Sequence, residues 1–218
     1  MSTRVYLVRH GATVLSAEDR FAGSSDVDLS EEGLAQAAAL GHRLSGEPIM
    51  AFYASPLKRT VATAEAVAAP HKMAINLEKD LREIDHGHWE GLTRKDVEER
   101  FAQEYERWDE DPFTFAPEGG ESGLAVTARA LPVLRAIVER HPNECVVVIS
   151  HKATIRLLLS SFLGIDARRY RDRLDLAPCS LNVLDFADPV RARLMLYNDT
   201  SHYQSGPRAS GPVLSRWW

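Results

Sequence analysis

An α/β fold with a largely parallel central sheet is what this 218-residue sequence predicts, and three observations carry the expectation. Short apolar runs alternate along the chain with longer stretches of helical apolar spacing, which is the pattern of strand and crossover helix repeated. Two of the runs, residues 5–8 and 145–149, are apolar throughout, as strands buried on both faces are. A composition of 44% hydrophobic and 26% charged residues suits one domain with a sizeable core.

Taken in order, residues 5–8 read as a buried strand that ends at Arg9-His10-Gly11. Ser30, followed by Glu31 and Glu32, marks the capped, acidic start of a helix running to about Leu44, with Gly33 a weak spot near its beginning. Residues 50–53 form a second strand. Ser55-Pro56 then reads as an N-cap with proline at the first helical position, opening a helix through about Ala68 that carries Arg59 in its first turn. Residues 101–120 mix acidic side chains, Trp108, Phe113, Phe115 and prolines, and read as an insertion over one face of the sheet that serves as part of a lid. Helical spacing returns at 124–138 and 155–163, flanking the strand 145–149 that ends at Ser150-His151, and 181–186 and 194–197 read as late strands. The expected organisation is one domain over residues 1–204, followed by a mobile tail of linker composition over 205–218 that ends in Trp217-Trp218.

A net charge of −5 supplies no general attraction to nucleic acid or to an anionic membrane, so an anionic ligand has to be held by a local cluster of cations. No apolar run approaches the ~20 residues of a membrane span, and the N-terminal run is too short for a signal-peptide core, so a cytoplasmic protein is expected. Cys145 and Cys179 stand far apart without a CxxC, which argues against a disulfide framework or a cysteine zinc site.

In an open parallel sheet ligands bind beyond the carboxyl ends of the strands, where His10 and His151 are expected. Arg9 and Arg59 supply permanently charged forks that match phosphate oxygens, and the helix after His151 is expected to point free backbone N–H groups at the same place. A neutral imidazole held against phosphorus by such cations can displace an alcohol and become transiently phosphorylated, with no metal required.

At these residues the chain resembles the histidine phosphatase superfamily, the group of cofactor-dependent phosphoglycerate mutases and broad-specificity phosphatases. Arg9-His10-Gly11-Ala12-Thr13 is similar to its nucleophile motif, Ser55-Pro56-Leu57-Lys58-Arg59-Thr60 with Thr63-Ala64-Glu65 to its second-arginine motif, and Ser150-His151 to its second-histidine motif, in the family's order. Leu81-Arg82-Glu83-Ile84 followed by Gly87-His88-Trp89-Glu90-Gly91 resembles the segment that holds the family's proton donor, here Glu83. The resemblance implies a three-layer α/β/α sandwich, mostly parallel and phosphoglycerate mutase-like. It implies His10 as nucleophile, Glu83 as general acid and base, and Arg9, Arg59 and His151 as phosphate ligands, with Thr13 and Ser16 as lesser candidates. A carboxyl group beside a phosphate dianion is pushed toward its protonated form, which suits that acid role. Ser16 stands where the family often has asparagine, and Lys152-Ala153 replace glycines that commonly follow the second histidine, so Lys152 becomes a candidate substrate contact.

The implied reaction is hydrolysis of a small phosphomonoester without metal or cofactor. The expected partner is a small phosphorylated metabolite, with no nucleic acid and no membrane, and a homodimer is among the permitted assemblies. Two rivals share the motifs: a phosphoglycerate mutase, which must keep water from the phosphohistidine, and a non-catalytic phosphate-binding module. His86 and His88 are spaced for one face of a strand and raise a metal site, but no HExxH accompanies them and the arginines beside His10 repel a divalent cation, so they read as rim residues. Arg168, Arg169, Arg171 and Arg173, interleaved with Asp166, Asp172 and Asp175, read as a salt-bridged surface. Glu121, in Pro117-Glu-Gly-Gly-Glu121-Ser122, has two open readings, a residue approaching the pocket or part of a turn and helix cap.

Overall fold

The alternation of elements resolves into three layers in a computed structural model, which describes residues 2–15 and 20–204. The expectations for Ser16 and for the tail 205–218 lie outside the described residues. Six strands form one sheet: β1 (Thr3–Arg9), β2 (Ile49–Ala54), β3 (Ile75–Leu77), β4 (Cys145–Ser150), β5 (Leu181–Phe186) and β6 (Ala192–Asp199), in the order β3-β2-β4-β1-β5-β6. The run β3-β2-β4-β1 is parallel, and β5 joins β1 antiparallel, so the sheet is mostly parallel.

The period of two along each strand sorts its side chains between two cores. Val5 and Leu7 of β1, with Val146 and Val148 of β4, pack under helices α5 (Gly123–Arg140) and α6 (Lys152–Leu163). Tyr6, Val8, Val147 and Ile149 face the other way, against α1 (Glu31–Leu44) and α2 (Lys58–Ala68). Burial on both faces is why β4 reads as an unbroken apolar run.

One local expectation is corrected, and two further features come from the structure alone. The second helix starts at Lys58 with Leu57 as its N-cap, and the Ser55 hydroxyl, which accepts from Leu57 N at 3.4 Å, makes its shorter contact with His151. Strand β3, three residues long and half exposed, is too short to leave a periodic signal. Part of the segment over the site is helical: α3 (Arg94–Arg100), opened by a Thr93–Asp96 capping box, and α4 (Ala102–Glu110). Tyr105 and Trp108 of α4 pack with Phe21, Trp89 and Val97 in an aromatic cluster, with Trp89 wholly buried beside the Glu83 segment. A last short helix, α7 (Tyr170–Arg173), precedes β5. Among the described residues no helix is long and apolar enough to cross a membrane.

Candidate active site

Adjacency of β1 and β4 brings the two histidines together. Arg9 pairs with Ser150 in the parallel register, so His10 and His151 leave neighbouring strands at the same level, with ring centroids 5.2 Å apart. The His10 backbone is pinned on both sides, its N–H donating to Ser150 O (3.0 Å) and its carbonyl accepting from Cys179 N (2.9 Å). The next residues are held by α1 and α2: Gly11 N donates to Thr63 Oγ1 (3.1 Å) and Ala12 N to Gln36 Oε1 (3.0 Å). Gly11 and Gly33 permit this approach, since a Cβ on Gly33 would stand 2.0 Å from Ala12 O. The glycine read as a helix weak spot is therefore where α1 meets the His10 loop.

Tautomers follow from these contacts. His10 Nδ1 lies 2.8 Å from Gly11 O, so the proton sits on Nδ1 and the Nε2 lone pair is available to an electrophile. Arg59 Nε donates to His151 Nδ1 (3.2 Å), which places the His151 proton on Nε2, donated to Ser55 Oγ (2.8 Å). Burial first, then the charges of Arg9 and Arg59, hold His10 well below its ordinary value, and burial, Arg59 and His10 do the same for His151. Both imidazoles are neutral at pH 7.

A stability prediction follows. The unfolded chain takes up protons on these histidines near pH 6.5 and the folded chain refuses them, so below that pH the unfolded state binds more protons and stability falls as pH falls. Each excluded proton contributes at most ~1.4 kcal/mol per pH unit. Urea unfolding from pH 7 to 5.5 should show the decline, and H10A should remove about half of what these two histidines contribute to it; a slope unchanged in H10A would refute the assignment.

Arg59, only 2% exposed, is oriented by backbone carbonyls: Nη1 donates to Ser25 O (2.7 Å) and Nη2 to Gly23 O (2.7 Å). That loop is in turn gathered by the Glu90 carboxylate, which accepts from Gly23 N (3.0 Å), Ser24 N (3.0 Å), Ser25 N (3.3 Å), Ser25 Oγ (2.6 Å) and His86 N (3.0 Å). Gly23 has no room for a side chain, because a Cβ would lie 1.9 Å from Ile84 O. Glu90 and Ser55 are the residues the sequence reading passed over. Glu90 lies within the motif around Glu83, where nothing local marks its role, and Ser55 stands where a cap is expected.

Glu83, 8% exposed, occupies the N-terminus of α6. Its carboxylate accepts from Ala153 N (3.1 Å), Thr154 N (3.2 Å), Thr154 Oγ1 (3.2 Å) and Ile84 N (3.0 Å). This corrects the expectation of free helix N–H groups aimed at a ligand: those of Ala153 and Thr154 hold the acid residue. Glu121 resolves to a position behind the site. It receives Arg82 (3.1 Å) and both Arg129 Nε and Nη2 (2.8 Å each), while Arg129 also donates to Glu83 O (3.0 Å), bracing the segment that carries Glu83.

Arg9, His10, Thr13, Arg59, Glu83 and Lys152 all line one cavity of about 220 Å³. His151 lies just behind it, wholly buried. Arg9 anchors one nitrogen on Leu176 O (2.6 Å), and its buried Nε has no protein partner. His86 lines the cavity edge-on to Phe21, with ring centroids 4.8 Å apart, whereas His88 bonds Glu118 O (3.0 Å). The arginine cluster divides: Arg168 and Arg169 pair with Asp166 (3.1 Å) and Asp172 (3.4 Å) at the surface, while Arg171 turns inward against the Trp108 ring and lines the cavity. Phosphate oxygens placed among Arg9, Arg59 and the histidines would put phosphorus against His10 with a carboxyl group at hand, an arrangement suited to phosphoryl transfer.

Residues 5–200 match the model of the histidine phosphatase superfamily (branch 1). The chain is 36% identical over 167 residues to phosphoserine phosphatase 1 of Hydrogenobacter thermophilus, covering 77% of this chain and 79% of that one. It is 34% identical to a probable phosphoglycerate mutase, GpmB, of Cronobacter sakazakii, covering 84% and 85% respectively. The structure of a mycobacterial glucosyl-3-phosphoglycerate phosphatase superposes with a TM-score of 0.82 at 27% identity, over 91% of this chain and 99% of that one. Some relatives are longer, and the chain spans 38% and 55% of two of them.

Proposed function

The chain belongs to the histidine phosphatase superfamily, branch 1, and is a phosphatase, and we propose that it hydrolyses a small phosphomonoester through a phosphohistidine on His10 without a metal ion. The observation that carries the reading is the buried, neutral His10 with its proton committed to Gly11 O, set beside Arg9, Arg59 and Glu83 on one cavity.

In the first step His10 Nε2 attacks phosphorus, the bond from phosphorus to the alcohol oxygen breaks, and the Glu83 proton passes to that oxygen. Arg9 and Arg59 neutralise charge on the equatorial oxygens, and His151 would join them only by releasing Ser55 Oγ and turning its Nε2–H to the phosphate. In the second step water attacks phosphorus, the P–N bond breaks, the water proton returns to Glu83, and orthophosphate leaves. Seven Lys or Arg side chains among the described lining residues supply the positive charge that a metal ion would otherwise bring, and they oppose entry of a divalent cation.

A panel of phosphomonoesters assayed with and without EDTA tests the reading, with orthophosphate release expected at equal rates in both. Loss in EDTA with recovery on added zinc would overturn it. Likeness to a probable mutase favours one second reading, which the same panel addresses: isomerisation of 3-phosphoglycerate that depends on 2,3-bisphosphoglycerate would make this a mutase.

The acid role of Glu83 has its own signature. E83Q should lower kcat for alkyl phosphates by ~10²-fold or more, within the range for general acid catalysis. For p-nitrophenyl phosphate, whose leaving group needs no proton, the first step should suffer far less. Equal losses in the first-step (burst-phase) rate on both esters would remove Glu83 from that role.

A further inference from the structure

The cavity carries more positive charge than one phosphoryl group needs. Arg9, Arg59 and the two histidines surround the reaction centre, yet Lys152 and Arg156 line the same space. They stand four residues apart on α6 and therefore share one helix face. Arg156 is 6% exposed, its Nε is buried with no hydrogen-bond partner among the described residues, and its other end meets Asp175 at 3.5 Å, a carboxylate half open to solvent. Burial, followed by the charges of Arg156 and Arg9, pushes Lys152 down to about 7. Burial and then the charge of Arg156 push Arg9, which lines the same cavity, down to about 10. The Nε atoms of Arg9 and Arg156 are buried with no hydrogen-bond partner among the described residues, and a buried cationic donor is costly unless a ligand answers it.

We infer that Lys152 and Arg156 form a second anion subsite, so that the alcohol this enzyme releases carries an anionic group of its own, a carboxylate or a further phosphate. The inference rests on the phosphatase reading and adds the class of its substrate. Phe21, Trp108 and Tyr170 supply the apolar walls between which the connecting carbons would lie.

Matched esters decide it: 3-phosphoglycerate against glycerol 3-phosphate for a carboxylate, and propane-1,3-diol bisphosphate against 3-hydroxypropyl phosphate for a second phosphate. The wild-type kcat/KM should favour the charged member of at least one pair by tenfold or more, which corresponds to about 1.4 kcal/mol. The pair that responds says which anion is seated. R156M should bring that ratio near one, R156K should keep part of it, and D175N, which frees Arg156 from its carboxylate, should leave it at or above the wild-type value.

Calorimetric binding of the same ligands to H10A makes the comparison without turnover. If no ester is hydrolysed, p-nitrophenyl phosphate included, while H10A still binds the charged ligand at least tenfold tighter, the phosphatase reading falls and the subsite stands. Equal affinities within both pairs overturn the subsite, as does an R156M protein that keeps the wild-type preference. A D175N protein that behaves like R156M also overturns it, because the pair would then be a structural ion pair only.

Discussion

Alanine at His10 is expected to lower kcat by on the order of 10⁴ or more on every phosphomonoester, because the nitrogen that forms the covalent intermediate beside Arg9 and Arg59 is removed. The protein should remain folded. The His10 ring is 6% exposed and makes one side-chain hydrogen bond, to its own neighbour Gly11, while the strand pairing and backbone contacts that hold the loop do not involve the ring. Rapid acid-free quenching of the wild type with a ³²P-labelled ester should trap an acid-labile phosphoprotein, and H10A should trap none. Activity within tenfold of wild type, or label retained in H10A, would mean that the nucleophile has been misassigned.

The second large effect is expected at a residue that has no place on the cavity lining. Glu90 gathers five donors, four of them backbone N–H groups, and thereby shapes the loop whose carbonyls of Gly23 and Ser25 aim the Arg59 guanidinium. Removing its carboxylate orphans those donors, at roughly 1–3 kcal/mol for each one left buried and unsatisfied. E90A should therefore lower kcat/KM by ~10²-fold, the scale of losing one preorganised donor to transition-state charge, and most of the loss should fall on kcat.

E90Q, which keeps one acceptor oxygen, should retain part of the activity. The discriminating measurement is the double mutant. If Glu90 acts through Arg59, E90A should cost little once Arg59 is already alanine, whereas a merely structural role would lower both backgrounds alike. Additive losses in R59A/E90A would reject the positioning role.

Glu90 also shows where reading a linear sequence stops. Residues 5–8 and 145–149 announce themselves as strands because β1 and β4 are central and buried on both faces, so every position is under the same apolar demand. Helices α1 and α5 are legible from apolar spacing and from Ser30 and Ser122, whose hydroxyls accept from Gly33 N and Ala125 N as caps. Ser55-Pro56 misleads because local rules assign a hydroxyl to the nearest free backbone N–H, while a histidine 96 residues away claims it. Likewise α6 presents free N–H groups in the sequence and none at Ala153 and Thr154 in the fold, where Glu83 reaches them across about 70 residues.

The chemistry was written in residue types: two histidines after two strands, two arginines and a carboxylate can hold and attack a phosphate wherever they converge, and side-chain chemistry is a local property. Convergence was not written there. It required β4 to insert between β1 and β2 so that His10 and His151 share one level, with 5.2 Å between their rings. It required glycines at 11, 23 and 33 because backbone from distant segments passes too close for a Cβ. It turned Arg171 and Arg156 from surface or helix positions into cavity lining. Strand order, close approach and the partners of buried polar groups depend on contacts between residues far apart in the chain, and those contacts exist only once the chain has folded.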